Sequence, residues 1–323
     1  MRYLPLAGLV LALAVHPISG AGEASAYPNR PITLVVPFAP GGGADQIARR
    51  IAEPLSARLG QTIVIDNRPG GGGTLGAAAV ANAKPDGYTL LYATPGQQMT
   101  LPHLMEKLPY DPEKDFAAVS PLLRGVSVLV VHKDVPANSV KELIELAKAK
   151  PGELSFASAG IGASSHLAGA LFQHMAGLDI VHVPYRGSGA AVTDVASGRV
   201  EMAIDTISVY QPHITSGSVK PLGVSSLKAT PVLPGVPPMA DDLEGFDASP
   251  VNYITSPAGT SPEIIARLNR EINEILKTPE MTAFFQQVGA DAQGGTPEDL
   301  EALIRSESEK WKEVIRASGA SPS

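Results

Sequence analysis

The sequence contains no cysteine among its 323 residues. This absence excludes disulfide bonds, thiolate metal ligands and a cysteine nucleophile together. The 7 histidines follow neither an H-E-x-x-H pattern nor another ligand spacing, so we expect no metal site and no cofactor. Stability must therefore come from a hydrophobic core, and a chain of this length can form one.

Basic clusters, long apolar runs and aromatic residues are also scarce. The formal net charge is −7, and no Lys/Arg cluster offers an electrostatic surface for nucleic acid. After residue 26, no segment is apolar for long enough to span a bilayer. Aromatic residues make up only 5% of the chain, against 32 Gly and 29 Pro, which indicates an Ala/Val/Leu core with many tight turns. These features favour an α/β protein that does not bind nucleic acid.

The first 26 residues have the pattern of a secretory signal peptide. Arg2 precedes an apolar run over residues 4–15, and Ala24-Ser25-Ala26 fits an A-x-A cleavage site. Because a run of about a dozen apolar residues is short for a membrane span, we expect cleavage after Ala26 and export to the periplasm. The alternative is an uncleaved N-terminal anchor.

Periodicity predicts the secondary structure of the remaining chain. Short β-branched runs alternate with amphipathic segments, which is typical of βαβ units and a mostly parallel sheet. The tail differs, because Ser261, Thr278 and Thr296 each precede a proline, as N-cap residues do at helix starts. We therefore expect three consecutive helices at the end of the chain, packed back on its first part.

This pattern predicts two domains. The first combines residues 27–124 with residues 250–323, and the second is formed by residues 125–249. The linkers are expected near residues 124–128 and 248–253. The fold class is accordingly α/β with a cleft between two domains.

Two glycine-rich segments each lie between a predicted strand and a predicted helix. One reads PFAPGGGAD at residues 37–45 and the other GIGASS at residues 160–165. Neither matches G-x-G-x-x-G, because Gln46 and Ser165 occupy the place of the last glycine, and no P-loop lysine is present. Unpaired N–H groups at such helix starts favour an anion, so both loops are candidate anion sites facing each other across the cleft. The alternative is that the glycines only make tight turns.

A hydrolase remains the alternative function. Ser164, Ser165 and His166 combine hydroxyl groups with an imidazole, but residues of these types also serve as caps and hydrogen-bond partners at a helix start. No spacing pairs a nucleophile or base with an orienting group. The alternative is therefore an exported α/β hydrolase acting on a carboxylate or ester, and a nucleotide-dependent oxidoreductase ranks below it.

Five sequence blocks lie in order over nearly all of the chain after residue 26. They are YPNRPITLVVPFAPGGGADQIARRIAEPLSARLGQTIVIDNRPGGGGTLGAAAVANAKPDGYTLLYAT, LPYDPEKDFAAVS, ASAGIGASSHLAGALF, HVPYRGSGAAVTDVASGRVEMAID and SPAGTSPEIIARLN. Together they resemble the Bug family, the periplasmic substrate-binding proteins of tripartite tricarboxylate transporters. The resemblance implies a two-domain, type II-like periplasmic-binding-protein fold with a hinge. It also implies a monomeric, non-enzymatic receptor that delivers a small organic carboxylate to membrane subunits of a transporter.

The resemblance also implies which residues bind the ligand. One carboxylate is expected at the first loop, residues 38–45, and a second at the second loop, residues 158–166. Asp205 lies where amino-acid-binding members contact a ligand amino group, although a cap or loop hydrogen bond is an equal alternative. Tyr185 and Arg186 could reach the cleft. The expected ligand-binding residues are Phe38, Ala39, Gly42, Gly43, Asp45, Thr94, Ser158, Ala159, Gly160, Gly162, Ser164, Ser165, His166, Tyr185 and Asp205.

The chain departs from the family pattern at two positions of the second loop. Many members have a polar Asn and Thr where this sequence has Ile161 and Ala163. The block before SPAGT, here PVNYIT, also lacks the tryptophan that is frequent there. The loss of two polar groups suggests a ligand with a less polar end, such as an aromatic or monocarboxylic acid.

Overall fold

The computed structural model describes residues 27–185 and 187–317. The predicted signal peptide, residues 1–26, lies outside these ranges. The strands are β1 (Ile32–Val36), β2 (Ile63–Asn67), β3 (Thr89–Ala93), β4 (Phe116–Gly125), β5 (Ser127–His132), β6 (Ser155–Ser158), β7 (Val181–Pro184), β8 (Met202–Thr206), β9 (Val219–Val224), β10 (Val251–Pro257) and β11 (Ala290–Ala292).

The helices lie between and after these strands. They are α1 (Gly43–Leu59), α2 (Thr74–Ala81), α3 (Leu101–Leu104), α4 (Val140–Ala149), α5 (Ser164–Ala176), α6 (Ser188–Ala196), α7 (Ile207–Thr215), α8 (Pro262–Leu276), α9 (Pro279–Gln287) and α10 (Pro297–Ala317). A π-helical turn, Gly96–Thr100, leads directly into α3. Within the described ranges, none of the helices is both long enough and apolar enough to cross a bilayer.

The strands form two mixed sheets, and each sheet with its helices makes one α/β domain. The first sheet has the order β11-β4-β10-β3-β1-β2, and the second has the order β7-β6-β8-β5-β9. β1 is parallel to β2 and β3, and β6 is parallel to β7 and β8. The remaining strand pairs are antiparallel. The prediction of a mostly parallel sheet is therefore wrong. In the first sheet β10 is antiparallel to β3 and β4, and in the second sheet β5 is antiparallel to β8 and β9.

The chain crosses between the sheets twice. It leaves the first sheet at Gly125 and enters the second at Ser127, with only Val126 between them. It returns between β9 and β10, and the Gly125 N–H donates to the Pro250 carbonyl at 2.7 Å, so the two crossings lie side by side. Both expected linkers include strand residues, because β4, β5 and β10 continue into them. The domain boundaries at 124/125 and 249/250 stay a prediction.

The helical tail agrees with the sequence prediction. The side chains of Ser261, Thr278 and Thr296 accept hydrogen bonds from the N–H groups of Ile264, Met281 and Asp299, respectively. The sequence did not predict β11, a 3-residue strand between α9 and α10 that pairs with β4. α10 contacts both β4 and α5, so the last helix packs against both domains.

Candidate ligand-binding site

The candidate loops lie at the carboxyl ends of parallel strands. The first loop follows β1, and the second loop follows β6. Ala157 pairs with Ala203 in the parallel register of β6 and β8, which places Asp205 beside Ala159. Three predicted site segments of the second domain, after β6, β7 and β8, thus share one edge of the sheet. Such an edge is where open α/β sheets bind ligands.

Asp45 holds the first loop in shape. The Gly41 N–H and Arg49 Nε donate to its Oδ2 at 2.9 and 3.0 Å, and Asn67 Nδ2 donates to its Oδ1 at 3.0 Å. The same Asn67 nitrogen donates to the Phe38 carbonyl at 3.1 Å. The hydrogen bond from Arg49, helped by those from Gly41 and Asn67, lowers the pKa of the Asp45 carboxyl to about 2 against the effect of burial. Both of its carboxylate oxygens are therefore engaged within the loop.

The remaining first-loop residues leave open space. Ala39, Gly42 and Gly43 are exposed. A Cβ placed on Gly43 would meet no heavy atom within 4 Å. The packing therefore does not require glycine at this position, and a ligand has room to approach the backbone.

A third glycine loop, residues 68–73, borders the first. Gly73 lies against Pro37, because a Cβ there would stand 3.3 Å from the proline Cβ. The side chain of Gln97 connects this loop to Thr94: Gln97 Nε2 donates to the Gly72 carbonyl at 3.3 Å, and Gln97 Oε1 accepts from Thr94 N at 2.8 Å and Thr94 Oγ1 at 3.1 Å. Thr94 thus lies close to the third loop, and its hydroxyl already donates a hydrogen bond to Gln97.

The second loop is folded by its own serines. The Ser158 hydroxyl accepts from Gly160 N–H at 3.1 Å, and the Ser165 hydroxyl accepts from Ala159 N–H at 2.9 Å. Ser158 is fully buried and Ser165 is 3% exposed. Ser164, in contrast, is half-buried and is the serine whose side chain remains open to a ligand.

Two histidines pack against the second loop. His166 Nδ1 accepts from the Gly162 N–H at 3.2 Å, and His182 Nε2 lies 2.7 Å from Ser158 Oγ. The two rings stack with centroids 4.2 Å apart. Burial lowers the pKa of His166, and burial followed by the neighbouring His166 lowers the pKa of His182 to about 4. Both rings are consequently uncharged at neutral pH.

The second loop reaches the first domain at Leu101. A Cβ on Gly162 would lie 3.0 Å from Leu101 Cδ2 and 3.6 Å from Leu104 Cδ1. A Cβ on Gly72 would lie 3.4 Å from Leu101 Cδ1. The second and third loops therefore converge on one leucine, which brings the loop edges of the two domains together. Gly162 has φ +80°, a conformation that favours glycine.

Asp205 carries an unpaired oxygen. Its Oδ1 accepts from the Thr206 N–H at 2.7 Å, whereas its Oδ2 is buried and accepts no hydrogen bond of normal geometry in the described chain, although the Ser188 side chain lies close enough to the carboxyl to lower its pKa by hydrogen bonding. The hydroxyl of Tyr210 is likewise buried and unpaired. Burial raises the pKa of Asp205, although Ser188 and Thr206 oppose the shift. A buried acceptor without a donor costs free energy, so this oxygen is a candidate ligand contact.

Tyr185 points its hydroxyl at another residue. It donates to Asp194 Oδ2 at 2.8 Å, and Asp194 also accepts from Arg199 at 2.9 Å. Burial, and then the bond to Asp194, raises the pKa of Tyr185 to about 12. Tyr185 follows β7 at the edge of the second sheet, and its hydroxyl is already hydrogen-bonded to Asp194 of the same domain. Arg186 lies outside the described residues.

The helix starts at the two predicted loops lack side-chain caps. The N-cap residues of α1 and α5 are Gly42 and Ala163, and neither caps its helix through a side chain. α4, α8 and α9 are capped by Ser139, Ser261 and Thr278, respectively, whereas α2, α3, α6 and α7 also begin without a side-chain cap. First-turn N–H groups have no intrahelical acceptor. At α1 and α5 they remain available to an anion.

Two cavities lie away from these loops. One of about 340 Å³ is lined by residues such as His132, Lys150 and Glu201, at the opposite edge of the second sheet. The other, of about 610 Å³, is lined by residues such as Ile207, Gln211 and Gln287. Neither is lined by a residue of the three glycine loops. The loops remain the candidate ligand site, because two uncapped helix starts lie at them and an unpaired buried acceptor lies beside the second loop.

Two α/β domains joined by two adjacent crossings are the fold of periplasmic binding proteins. The sequence matches the profile of the tripartite tricarboxylate transporter family receptors, TctC, over residues 47–320. The chain belongs to this family, whose members include periplasmic Bug proteins, and the resemblance stated from the sequence is confirmed. As a non-enzymatic receptor it is not the hydrolase kept as an alternative.

Three similar proteins illustrate the match. Protein BugT of Bordetella pertussis is 37% identical over 99% of this chain and 98% of its own. The structure of Rpa4515 from R. palustris with adipate has a TM-score of 0.84 and 36% identity, and covers 92% of this chain and 100% of that one. The structure of MatC from Rhodopseudomonas palustris with bound malate has a TM-score of 0.78 and 32% identity, over 90% and 100%.

The sequence prediction missed several residues that build the site. Asn67 and Gln97 hold the first and third loops, and His182 holds Ser158. The available signals were weak: Asn67 ends a predicted strand just before the glycine run, and His182 alternates with valines in a strand pattern. Only the folded chain brings these side chains to the loops.

Proposed function

We propose that this receptor captures a small organic carboxylate in the periplasm and delivers it to the membrane subunits of a tripartite tricarboxylate-type transporter. The observation that carries the proposal is the pair of uncapped helix starts, α1 and α5, at loops on two domains. Each supplies N–H groups and the positive end of a helix dipole. The adipate and malate bound by Rpa4515 and MatC are dicarboxylates, which is consistent with two such anion sites.

The ligand contacts divide into three groups. The backbone of Phe38, Ala39, Gly42 and Gly43 receives one carboxylate. The backbone of the second loop and the Ser164 hydroxyl receive the other end of the ligand. Asp45, Thr94, Ser158, Ser165, His166 and Tyr185 act mainly by shaping these surfaces, because their polar atoms are already engaged.

Asp205 adds a requirement on the ligand. Its Oδ2 is a buried acceptor beside the second loop and is satisfied by a hydroxyl or ammonium donor. A ligand carrying such a donor next to a carboxylate therefore gains a hydrogen bond that a plain dicarboxylate lacks.

Ile161 favours a ligand with an apolar part. Its side chain is 67% exposed at the tip of the second loop, next to the Gly162 contact with Leu101. Burying such a side chain against a hydrocarbon segment stabilises the complex by about 25 cal/mol per Å². An Ile161→Asn variant should lose affinity for carboxylates with an aromatic or aliphatic end more than for short polar ones.

Domain movement about the two crossings completes the proposal. The first domain comprises residues 27–124 with 250–323, the second comprises residues 125–249, and they close on the ligand as a monomeric receptor. We propose export to the periplasm with cleavage after Ala26, which releases the mature chain.

The ligand class is tested by identifying what co-purifies with the protein. Mass spectrometry of the denatured protein should release a carboxylic acid. A thermal-shift screen of carboxylates should then find a stabilising compound, since a ligand at 100 times its dissociation constant adds about 2.7 kcal/mol. Stabilisation only by compounds that lack a carboxylate would overturn the proposal.

A further inference from the structure

The two histidine rings beside the second loop form a continuous stack. His166 on α5 stacks on His182 of β7 at 4.2 Å between centroids, and His182 stacks on Phe156 of β6 at 4.8 Å. His166 is 9% exposed. The stack thus connects the helix start of α5 to the strands on which the loop stands.

The hydrogen-bond directions assign the protons of this stack. The Gly162 N–H donates to His166 Nδ1, which must then carry no proton. The Ser158 hydroxyl oxygen accepts from the Gly160 N–H, and its own hydrogen has two acceptors within reach, His182 Nε2 at 2.7 Å and the Gly160 carbonyl at 3.4 Å. His166 therefore acts as an acceptor toward the loop, which it does only in its uncharged form, and His182 does so in the tautomer that carries its proton on Nδ1.

Ser158 and His166 fix two alternate peptide groups of the loop. The N–H groups of Gly160 and Gly162 point inward, one to Ser158 and the other to His166. The N–H of Ile161, between them, donates to no acceptor in the described chain. Together with the uncapped first turn of α5, it is a donor free to receive a carboxylate.

The charge state of the stack depends on the two rings themselves. His182 has one titratable neighbour on α5, which is His166. Its neighbours on β6 are Phe156 and Ser158, and neither carries a charge. Burial is what lowers the pKa of His166. No carboxylate of the described chain acts on either ring to favour the protonated form.

We propose that His166 and His182 are positioning residues for the ligand: in their uncharged forms, hydrogen-bonded to Gly162 and Ser158, they hold the second loop in the conformation that receives a carboxylate, and proton uptake by the pair releases that conformation. The part of the inference that concerns a carboxylate ligand rests on the proposed function. The part that concerns the conformation of the second loop does not. A proton on His166 Nδ1 would face the Gly162 N–H, donor against donor. Two charged rings would also repel across their stack.

The first experiment uses the ligand-free protein. Amide signals of Gly160 and Gly162 are followed by NMR from pH 8 to about 4, together with the imidazole C–H signals. We expect both amides to titrate with the rings. In a His166→Asn, His182→Gln double variant, whose amide oxygens replace Nδ1 and Nε2 without titrating, both amide signals should stay constant. Ring titration that leaves both wild-type amide signals unchanged would overturn the proposal.

The second experiment measures the affinity for adipate at pH 7. His166→Leu removes the acceptor of the Gly162 N–H, and His182→Leu removes the hydrogen-bond partner of the Ser158 hydroxyl. Each should weaken binding about tenfold, as expected for one lost hydrogen bond. His166→Asn and His182→Gln should stay within about threefold of wild type. His174→Asn is the matched control, because His174 is exposed on the same helix, α5.

The outcomes separate this inference from the proposed function. Folded leucine variants, with wild-type circular dichroism and a cooperative melt, that bind adipate as tightly as wild type would overturn the inference. If the leucine variants do not fold, the Asn and Gln variants decide by their amide signals. If wild-type protein does not bind adipate, that one ligand is excluded, and the ligand-free amide titration still decides on the histidines.

Discussion

Asn67 Nδ2 donates at once to Asp45 Oδ1, at 3.0 Å, and to the Phe38 carbonyl, at 3.1 Å. This amide ties the end of β2 to the loop that follows β1, so two neighbouring strands share one hydrogen-bonded unit. The Gly41 N–H and Arg49 complete that unit. The shape of the first loop therefore depends on the ionised form of one carboxylate.

Asp45 should make stability depend on pH in the acid range. Its folded pKa of about 2 lies below the ordinary aspartate value of 3.8, so its contribution is full above pH 3.8 and is lost as the pH falls toward 2. Asp45→Asn should lower the free energy of unfolding by about 1–2 kcal/mol at neutral pH, because charged hydrogen bonds are lost. The deficit should shrink between pH 3.8 and 2 in urea titrations. A deficit that stays constant over this window would contradict the assignment.

Gly43 tests whether a ligand occupies the space in front of the first loop. Gly43→Val should leave the fold intact, because a Cβ there meets nothing within 4 Å and φ is not in the left-handed region. It should weaken ligand binding by roughly 2 kcal/mol through crowding, and Gly43→Ala by less. Calorimetry with the co-purifying carboxylate measures both variants. Equal affinity in wild type and a folded Gly43→Val would move the ligand away from α1.

Gly162→Val is a poorer test than the sequence suggests. The valine would adopt φ +80° and meet Leu101 at 3.0 Å, so the substitution perturbs the contact between the domains. Lost affinity in that variant would not distinguish a ligand contact from a displaced loop.

Asp205 should discriminate between ligands with and without a hydrogen-bond donor. Asp205→Asn should reduce the affinity for malate about tenfold, because the hydroxyl loses a charged acceptor. The affinity for adipate, which has no such hydroxyl, should stay within about threefold of wild type. The melting temperature should not fall, since the substitution removes a buried, unpaired carboxylate oxygen. Equal losses for both ligands would contradict a donor-specific contact.

The predicted signal peptide determines where the mature chain should begin. Intact-mass measurement on protein from the periplasm of a native-like host should give a chain that begins at Tyr27, because Ala24-Ser25-Ala26 fits signal peptidase. A cytoplasmic product that retains residues 1–26 would contradict this expectation.

Local signals were sufficient for much of the fold. Ser261, Thr278 and Thr296 each stand before a proline, and the capping bond depends on residues only three positions apart. Strand β11 escaped prediction because its 3 residues carry no periodicity and form a strand only by pairing with β4. Antiparallel pairing of β10 was missed for the same reason, since strand direction is a property of the assembled sheet.

In the candidate site, too, local sequence predicted some features, and others depend on the assembled sheet. Glycine runs between a strand and a helix predicted both loops, because the free N–H groups at a helix start are a local property. Asn67, Gln97 and His182 act on residues more than twenty positions away, and their roles depend on which strands become neighbours. Residue type alone did not predict that the Asp45 carboxylate accepts several hydrogen bonds within the first loop. Its place among the ligand-binding residues stays a prediction.

Helix α10 has a consequence for spectroscopy. It carries Trp311, which is 5% exposed and is the 1 tryptophan of the sequence, and it contacts both β4 and α5. Tryptophan emission therefore arises from a single buried position on the helix that contacts both domains. A change in the angle between the domains shifts the contacts of that helix, so the emission of this one indole is an intrinsic optical signal in which to look for closure, without any added label.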